Sequence, residues 1–227
     1  MREQQGINNT HLKSRNRGLV LQWIASEDNP SRVEIARHIG LTKMTVTNIV
    51  SDWIQAGYVE EKEAAVNATV GRNPIILDIA DNAPLAMGLY LSRTAATILL
   101  ADLKLRVHYR DRLLLESENA ETITDKLVQL VRRAMDWREA VRPRTAIAGI
   151  GVSAIGPLDT STGLLLSPTD FFNIRKLPLA KILREASGLP VFVSNDMNAS
   201  ALAEKLYGHG KPYDNFIYAG ITHGIGA

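Results

Sequence analysis

From residue 31 onward, apolar residues fall at helical spacing twice in quick succession. Val33, Ile35, Ala36 and Ile39 make one side of a short helix, Gly40 permits a turn, and Leu41 packs beneath it. Thr42 suits the N-cap of a second helix, in which Val46, Ile49, Val50 and Trp53 fall at i, i+3, i+4 and i+7. Lys43, Thr45, Thr47 and Asn48 occupy its opposite face. Gly57 ends this helix. The polar run Glu60-Glu61-Lys62-Glu63 then leads by a loop to Gly71-Arg72-Asn73-Pro74 and the apolar strand Ile75-Ile76-Leu77. Two helices hinged at a glycine and followed by a two-stranded wing predict a winged helix-turn-helix over residues 1–80.

Asp81-Asn82-Ala83-Pro84 is rich in turn formers and marks a boundary, beyond which the periodicity changes. Met87 to Leu91 and Thr97 to Asp102 predict a hairpin, and Val107 to Leu115 a third strand. Glu121 to Trp137 predicts an amphipathic helix with Ile123, Leu127, Leu130, Val131 and Met135 on one side. Next come a strand from Ala146 to Val152, a Gly/Pro loop and a helix from Pro178 to Ser187. A strand from Pro190 to Val193 and a helix from Asn198 to Tyr207 complete the pattern. That order describes the N-terminal half of an actin-like ATPase (ribonuclease H-like) lobe, so the chain as a whole reads as α/β behind an all-α, winged-helix N-terminal domain. The linking turn is short, and motion in the second domain is expected to reach the wing as a rigid displacement with Pro84 limiting its direction.

Short polar side chains near the start of the second helix suit a major groove. There the hydroxyls of Thr42, Thr45 and Thr47 and the Asn48 amide can reach base edges while Lys43 meets phosphate. Arg72, at the tip of the wing, suits a minor groove or a phosphate. Charge adds little to this reading: the chain carries +2 overall, and residues 1–80 hold nine basic and nine acidic side chains. Residues 1–50 hold seven basic against four acidic, so the positive side is local, and affinity is expected to depend on base contacts and dimerisation.

No apolar run approaches the roughly 20 residues that cross a bilayer, and the N-terminus lacks the apolar core of a signal peptide, which predicts a cytoplasmic protein with no membrane partner. The absence of cysteine rules out disulfides and thiolate metal sites in this segment, and the five histidines show no ligand spacing. Neither a metal nor a cofactor is expected here.

Three stretches together resemble the ROK family of sugar-responsive repressors and sugar kinases: the helix-turn-helix with its Gly-Arg-x-Pro wing, Gly149 to Asp159 with Gly156 and Pro157, and Val193-Ser-Asn195-Asp196-Met-Asn198-Ala-Ser-Ala201-Leu-Ala-Glu204. The resemblance covers nearly the whole chain. It assigns residues 85–227 to a sugar-sensing lobe. In kinases of this family the aspartate matching Asp196 takes a proton from the attacking sugar hydroxyl, and the asparagine matching Asn195 holds a neighbouring hydroxyl. Read from the residues alone, Asp196 can equally cap the following helix and Asn198 can satisfy loop amides. After the Gly-Pro loop, Asp170 and Asn173 can hydrogen-bond hydroxyls, while Phe171 and Phe172 either stack on a sugar face or pack in the core.

The departures shape the functional expectation. Family kinases open this lobe with Asp-x-Gly-Gly-Thr, where the carboxylate serves the metal and the glycines admit phosphate. Here Tyr90, Ser92 and Arg93 stand at those positions and only Thr94 remains. Ala219 to Ala227 resembles the second phosphate loop, with His223 in place of a small residue. The family continues through a second lobe with a His/Cys zinc site. A fragment or a naturally truncated chain is therefore expected, with zinc possible only in a longer parent. The sequence thus predicts a DNA-binding regulator, a repressor of carbohydrate genes controlled by a sugar. It is expected to act as a homodimer or higher oligomer and to lack kinase activity; a carbohydrate kinase with an appended DNA-binding domain is the alternative.

Overall fold

The computed structural model describes residues 9–63, 75–221 and 224–226. The chain divides into two compact units, Met1–Ala83 and Pro84–Ala227.

The first unit contains α1 (Asn9–Ser26), α2 (Arg32–Ile39), α3 (Lys43–Gln55), β1 (Val59–Glu63) and β2 (Ile75–Ile79). Ser31 caps α2 in a reciprocal box with Glu34, and α2 ends on Gly40 at φ 74°, a left-handed conformation that glycine adopts without a Cβ penalty. Thr42 caps α3 through Oγ1, which accepts from the Thr45 N–H at 3.1 Å. Val46, Ile49 and Val50 are buried with Ile35 and Ala36 of α2, as the periodicity predicts. β1 and β2 pair antiparallel, Val59 opposite Ile79 through Glu63 opposite Ile75, so the acidic run is itself a strand. The sequence pattern does not reveal α1. Its first half is polar apart from the exposed Leu12, and Val20, Trp23 and Ile24, at i, i+3 and i+4, supply the apolar anchor in the second half.

In the second unit β3 (Leu85–Leu91), β4 (Ala95–Ala101) and β5 (Val107–Leu114) precede α4 (Ala120–Val141), β6 (Ile147–Ala154), β7 (Leu158–Asp159) and β8 (Leu164–Leu165). α5 (Leu179–Ser187), β9 (Val191–Asn195), α6 (Asp196–Tyr207), β10 (Gly220–Ile221) and β11 (Ile225–Gly226) follow. Five strands form one mixed sheet in the order β5-β4-β3-β6-β9. β3 pairs antiparallel with β4 and β4 with β5, whereas β3, β6 and β9 run parallel. Alternate residues of β3, namely Leu85, Met87, Leu89 and Leu91, enter the core with Ile123, Leu127, Leu130 and Val131 of α4 and Leu183 of α5. On the opposite face α6 borders a groove of about 360 Å³ with Phe192 and Gly151. No described helix is long and apolar enough to cross a membrane.

Two boundaries move. β9 runs on to Asn195 and α6 begins at Asp196, because Asn195 Oδ1 accepts from the Met197 N–H at 3.0 Å and so caps the helix. Asn195, not Asp196, is therefore the N-cap, although Asp196 Oδ1 also accepts from that N–H at 2.9 Å. Phe171 is fully buried in the core, which removes it from any sugar-facing surface. Phe172 packs against that core from the side, its ring centroid 5.3 Å from that of Phe171.

Candidate functional site

In the first unit, α3 presents Met44, Asn48, Ser51, Asp52 and Gln55 as an exposed stripe at helical spacing. Lys43 is exposed beside it, and Met44 is 70% exposed at its leading end. Thr45 and Thr47 are half-buried, and the Thr42 and Thr45 hydroxyls lie 2.8 Å apart, engaged with each other and with the cap. The residues expected to read bases therefore separate: Lys43 and Asn48 stand out, Thr42 and Thr45 hold the helix start, and Arg72 lies outside the described residues. Met44, an apolar residue on this polar face, lies outside the set that the sequence singled out.

α1 lies alongside this face of α3. A groove of about 320 Å³ is lined by Lys13, Asn16 and Arg17 of α1 together with Thr45, Asn48 and Asp52 of α3. The Arg17 guanidinium pairs with the Asp52 carboxylate and lies 4.6 Å from the Trp53 ring centroid, while the Arg17 carbonyl accepts from Trp53 Nε1 at 3.2 Å. One ion pair thus ties the acidic residue of the exposed stripe to α1.

In the second unit, the carboxyl ends of the parallel strands open into a cleft of about 220 Å³, the place where open α/β sheets take ligands. Gly156 follows β6, Asn195 ends β9 with Asp196 next to it, and Arg93 follows β3. A Cβ on Gly156 would meet Asn195 Nδ2 at 3.1 Å, so the bare glycine lets the asparagine amide approach. Gly220 and Gly226 close one side, and a Cβ on either would meet the Met197 side chain at 2.5 or 2.6 Å.

A neighbouring cleft of about 550 Å³ is lined by Arg93, Thr94, Glu116, Thr169, Asp170 and Phe172, and Arg93 borders both spaces. Its Nε donates to the Thr169 carbonyl at 3.0 Å, fixing the side chain to the segment after β8. Asp170, Phe172, Asn173 and Lys176 all have φ between 52° and 56°, a left-handed region that non-glycine residues rarely enter and that clusters at ligand sites.

The sequence grouped six ligand residues. Gly156, Asn195 and Asp196 share the inner cleft, Asp170 borders the outer one, and Pro157 and Asn173 line neither. Asp159, within the Gly-Pro motif, serves its own turn: hydrogen bonds from Ser161 and Thr162 pull its carboxyl down to about 2.

Tyr90 stands in register with Ser153 of β6, which in turn pairs with Ser194 of β9. Burial raises its phenol pKa first, and the charges of Asp196 and Tyr218 raise it further against the pull of Arg93. Ser92 builds the turn between β3 and β4, its Oγ accepting from the Ala95 N–H at 3.1 Å and donating to the Ala95 carbonyl at 3.0 Å. No group of three His, Cys, Asp or Glu residues able to hold a metal occurs among the described residues. Thr222 and His223 lie outside them.

A mixed sheet that carries its clefts at the carboxyl ends of its parallel strands defines the sugar-kinase type of actin-like α/β lobe. The ROK family pattern matches residues 86–227, and the chain belongs to the ROK family. A xylose repressor of Caldicellulosiruptor bescii is 29% identical over 222 residues, covering 97% of this chain and 54% of its own. A ROK family transcriptional regulator described as a homolog of the E. coli MLC protein superposes with a TM-score of 0.76 at 26% identity, over 95% of this chain and 54% of that one. A ROK family glucokinase from Streptomyces griseus, solved with glucose and AMPPNP, superposes with a TM-score of 0.54 at 25% identity, over 63% of this chain and 43% of that one. The chain spans about half the length of the curated relatives it matches.

Proposed function

We propose that this protein is a DNA-binding transcriptional regulator, a repressor of carbohydrate-metabolism genes that releases or gains its operator when a sugar binds. Residues 1–80 act as a winged helix-turn-helix, with α3 as the reading helix and β1 and β2 as the wing. Residues 85–227 act as the sugar-sensing lobe. The observation that carries this reading is the capped, exposed face of α3 within a chain of which 97% aligns with 54% of a xylose repressor. Lys43 and, from α1, Lys13 meet phosphates; Asn48 and Met44 meet base edges. Asn195 and Asp196 hold sugar hydroxyls in the inner cleft, with Asp196 as acceptor. Sugar binding shifts the population between arrangements of a dimer that fit the operator and arrangements that do not.

A carbohydrate kinase is the second reading, favoured by the likeness to a glucokinase and by Asp196 at the mouth of the cleft. Against it, Tyr90 stands where a metal-binding carboxylate is required, and Ser92 and Arg93 fill a turn that must be bare for phosphate. The test is one preparation assayed twice: selection of bound sequences from fragmented genomic DNA with and without a sugar panel, and a coupled ATPase assay with the same panel. A palindromic site whose occupancy changes with one sugar, and no turnover, is the expected result. Sugar phosphorylation at about 1 per second or faster with no sequence preference on DNA overturns the regulator reading.

A further inference from the structure

Arg17 of α1 is fixed from two sides. Its guanidinium pairs with the Asp52 carboxylate along one edge and lies over the Trp53 ring, the one arginine among the described residues placed over an aromatic ring. A planar group held by its edge and its face keeps one orientation, and Asp52 takes only part of its five-donor fork. Both partners stay open to a ligand, with 35% of the Arg17 side chain and 54% of the Asp52 side chain exposed. They line the groove between α1 and α3 together with Lys13, Asn16, Thr45 and Asn48. The fixed pair therefore opens onto the same groove as Asn48, the residue of α3 assigned to a base edge.

The chemistry of the pair narrows its ligand. A guanidinium and a carboxylate side by side are neutral overall, so the pair gains little from a phosphate, and Asp52 repels one. What it offers is a fork of donors beside an acceptor. In the major groove a G·C pair presents the complement, with acceptors at guanine O6 and N7 beside the donor at cytosine N4. An A·T pair instead sets the adenine N6 donor against the fork and the thymine O4 acceptor against the carboxylate. Asp52 lies one turn after Asn48, about 6 Å along the helix axis. That exceeds the roughly 3.4 Å between successive nucleotides of a strand, so the two contacts fall on different base pairs.

We propose that Arg17 and Asp52 together read one G·C base pair of the operator, Arg17 donating to guanine and Asp52 accepting from cytosine, so that α1 joins α3 in setting specificity. The proposal rests on the reading of residues 1–80 as a DNA-binding domain and deepens it by naming a base pair and the residues that select it. As a neutral unit the pair sets sequence preference, while Lys13 and Lys43 supply attraction to the phosphates.

Selection from a randomised duplex library with the 227-residue chain, followed by affinities for every single-base-pair variant of the selected site, tests it. Wild type is expected to prefer G·C at one position by about ten-fold or more over the other three pairs. The double variant R17M/D52A, neutral like the pair it replaces, should cut that preference to under about three-fold. It should leave the salt dependence of binding and the preferences at other positions unchanged. R17K keeps the charge for Asp52 and the cation over Trp53 but lacks the bidentate fork, so the preference should stay lost; lysine would restore a contact that only ties α1 to α3. K13A should instead weaken binding to all sequences alike and lower the salt slope by about 1. Preferences unaltered in R17M/D52A, preferences weakened equally at every position, or a preference kept by R17K each overturn the proposal and leave the regulator reading standing. A wild-type chain that enriches no sequence overturns both.

Discussion

At the scale of single residues, α3 divides its polar side chains between building the helix and facing outward. Thr42 and Thr45 spend their hydroxyls on the cap and on each other, whereas Asn48 is exposed with both amide groups available to a base edge. Asn48→Ala is therefore expected to weaken operator binding by about 1–3 kcal/mol and to relax specificity at one base position. Thr45→Ala should act through helix stability, leaving the sequence preference unchanged. Binding assays on operator variants separate the two, and an Asn48→Ala protein with unchanged affinity and preference removes Asn48 from the reading surface. On β3, the position of Tyr90 is likewise fixed by its neighbours, through the ladder to Ser153 of β6.

At the scale of elements, the turn between β4 and β5 depends on one nearly buried carboxylate. Asp102 accepts from the Lys104 N–H at 2.9 Å, the Arg106 N–H at 3.0 Å and Arg106 Nε at 2.7 Å, and its Oδ2 lies 3.0 Å from His108 Nε2. Burial on its own raises the carboxyl pKa, but hydrogen bonds from His108 and Arg106 outweigh it, and the net shift is downward from 3.8. A depressed folded-state value means that the ionised group stabilises the fold above the ordinary pKa, and that this contribution is lost as pH falls through 3.8 toward the lower folded value. Asp102→Asn is expected to destabilise the fold by about 1–3 kcal/mol at neutral pH, since one oxygen acceptor and the charge are lost. It should also flatten the acid limb of urea midpoint against pH. Parallel acid limbs for wild type and variant would show that other carboxylates control this turn.

At the scale of the whole molecule, Ala80 to Pro84 are the only residues between the last strand of the first unit and the first strand of the second. The Ala83 N–H donates to the Ala80 carbonyl at 2.9 Å, so this short connection contains a hydrogen-bonded turn. If the effector signal travels along this connection, a flexible insert should interrupt it while sparing each unit. Inserting about six Gly/Ser residues after the exposed Asn82 is expected to preserve operator binding and to reduce ligand response. An inserted protein released from its operator at the same ligand concentration as wild type would place the coupling elsewhere.

Local rules acting on local sequence determined much of this protein. Gly40 and Thr42 set the turn from α2 into α3 because a left-handed turn and a side-chain cap are properties of one or two residues. The strand and helix order from residue 85 followed from spacing of period 2 and 3.6, and the stretch around Asn195 and Asp196 carried the family resemblance. Tertiary structure decided the rest. α1 was invisible because it is held by packing of Val20, Trp23 and Ile24 and not by a stripe along its length. Phe171 and Phe172 are neighbours of identical chemistry, and only the turn of the backbone after β8 sends one to the core and leaves the other beside a cleft. Arg93, read in sequence as a residue that spoils a turn, gained its meaning from the Thr169 carbonyl 76 positions away and from the two clefts it borders. Periodicity records which way a side chain faces within its own element; which distant group it meets is settled only when the sheet assembles.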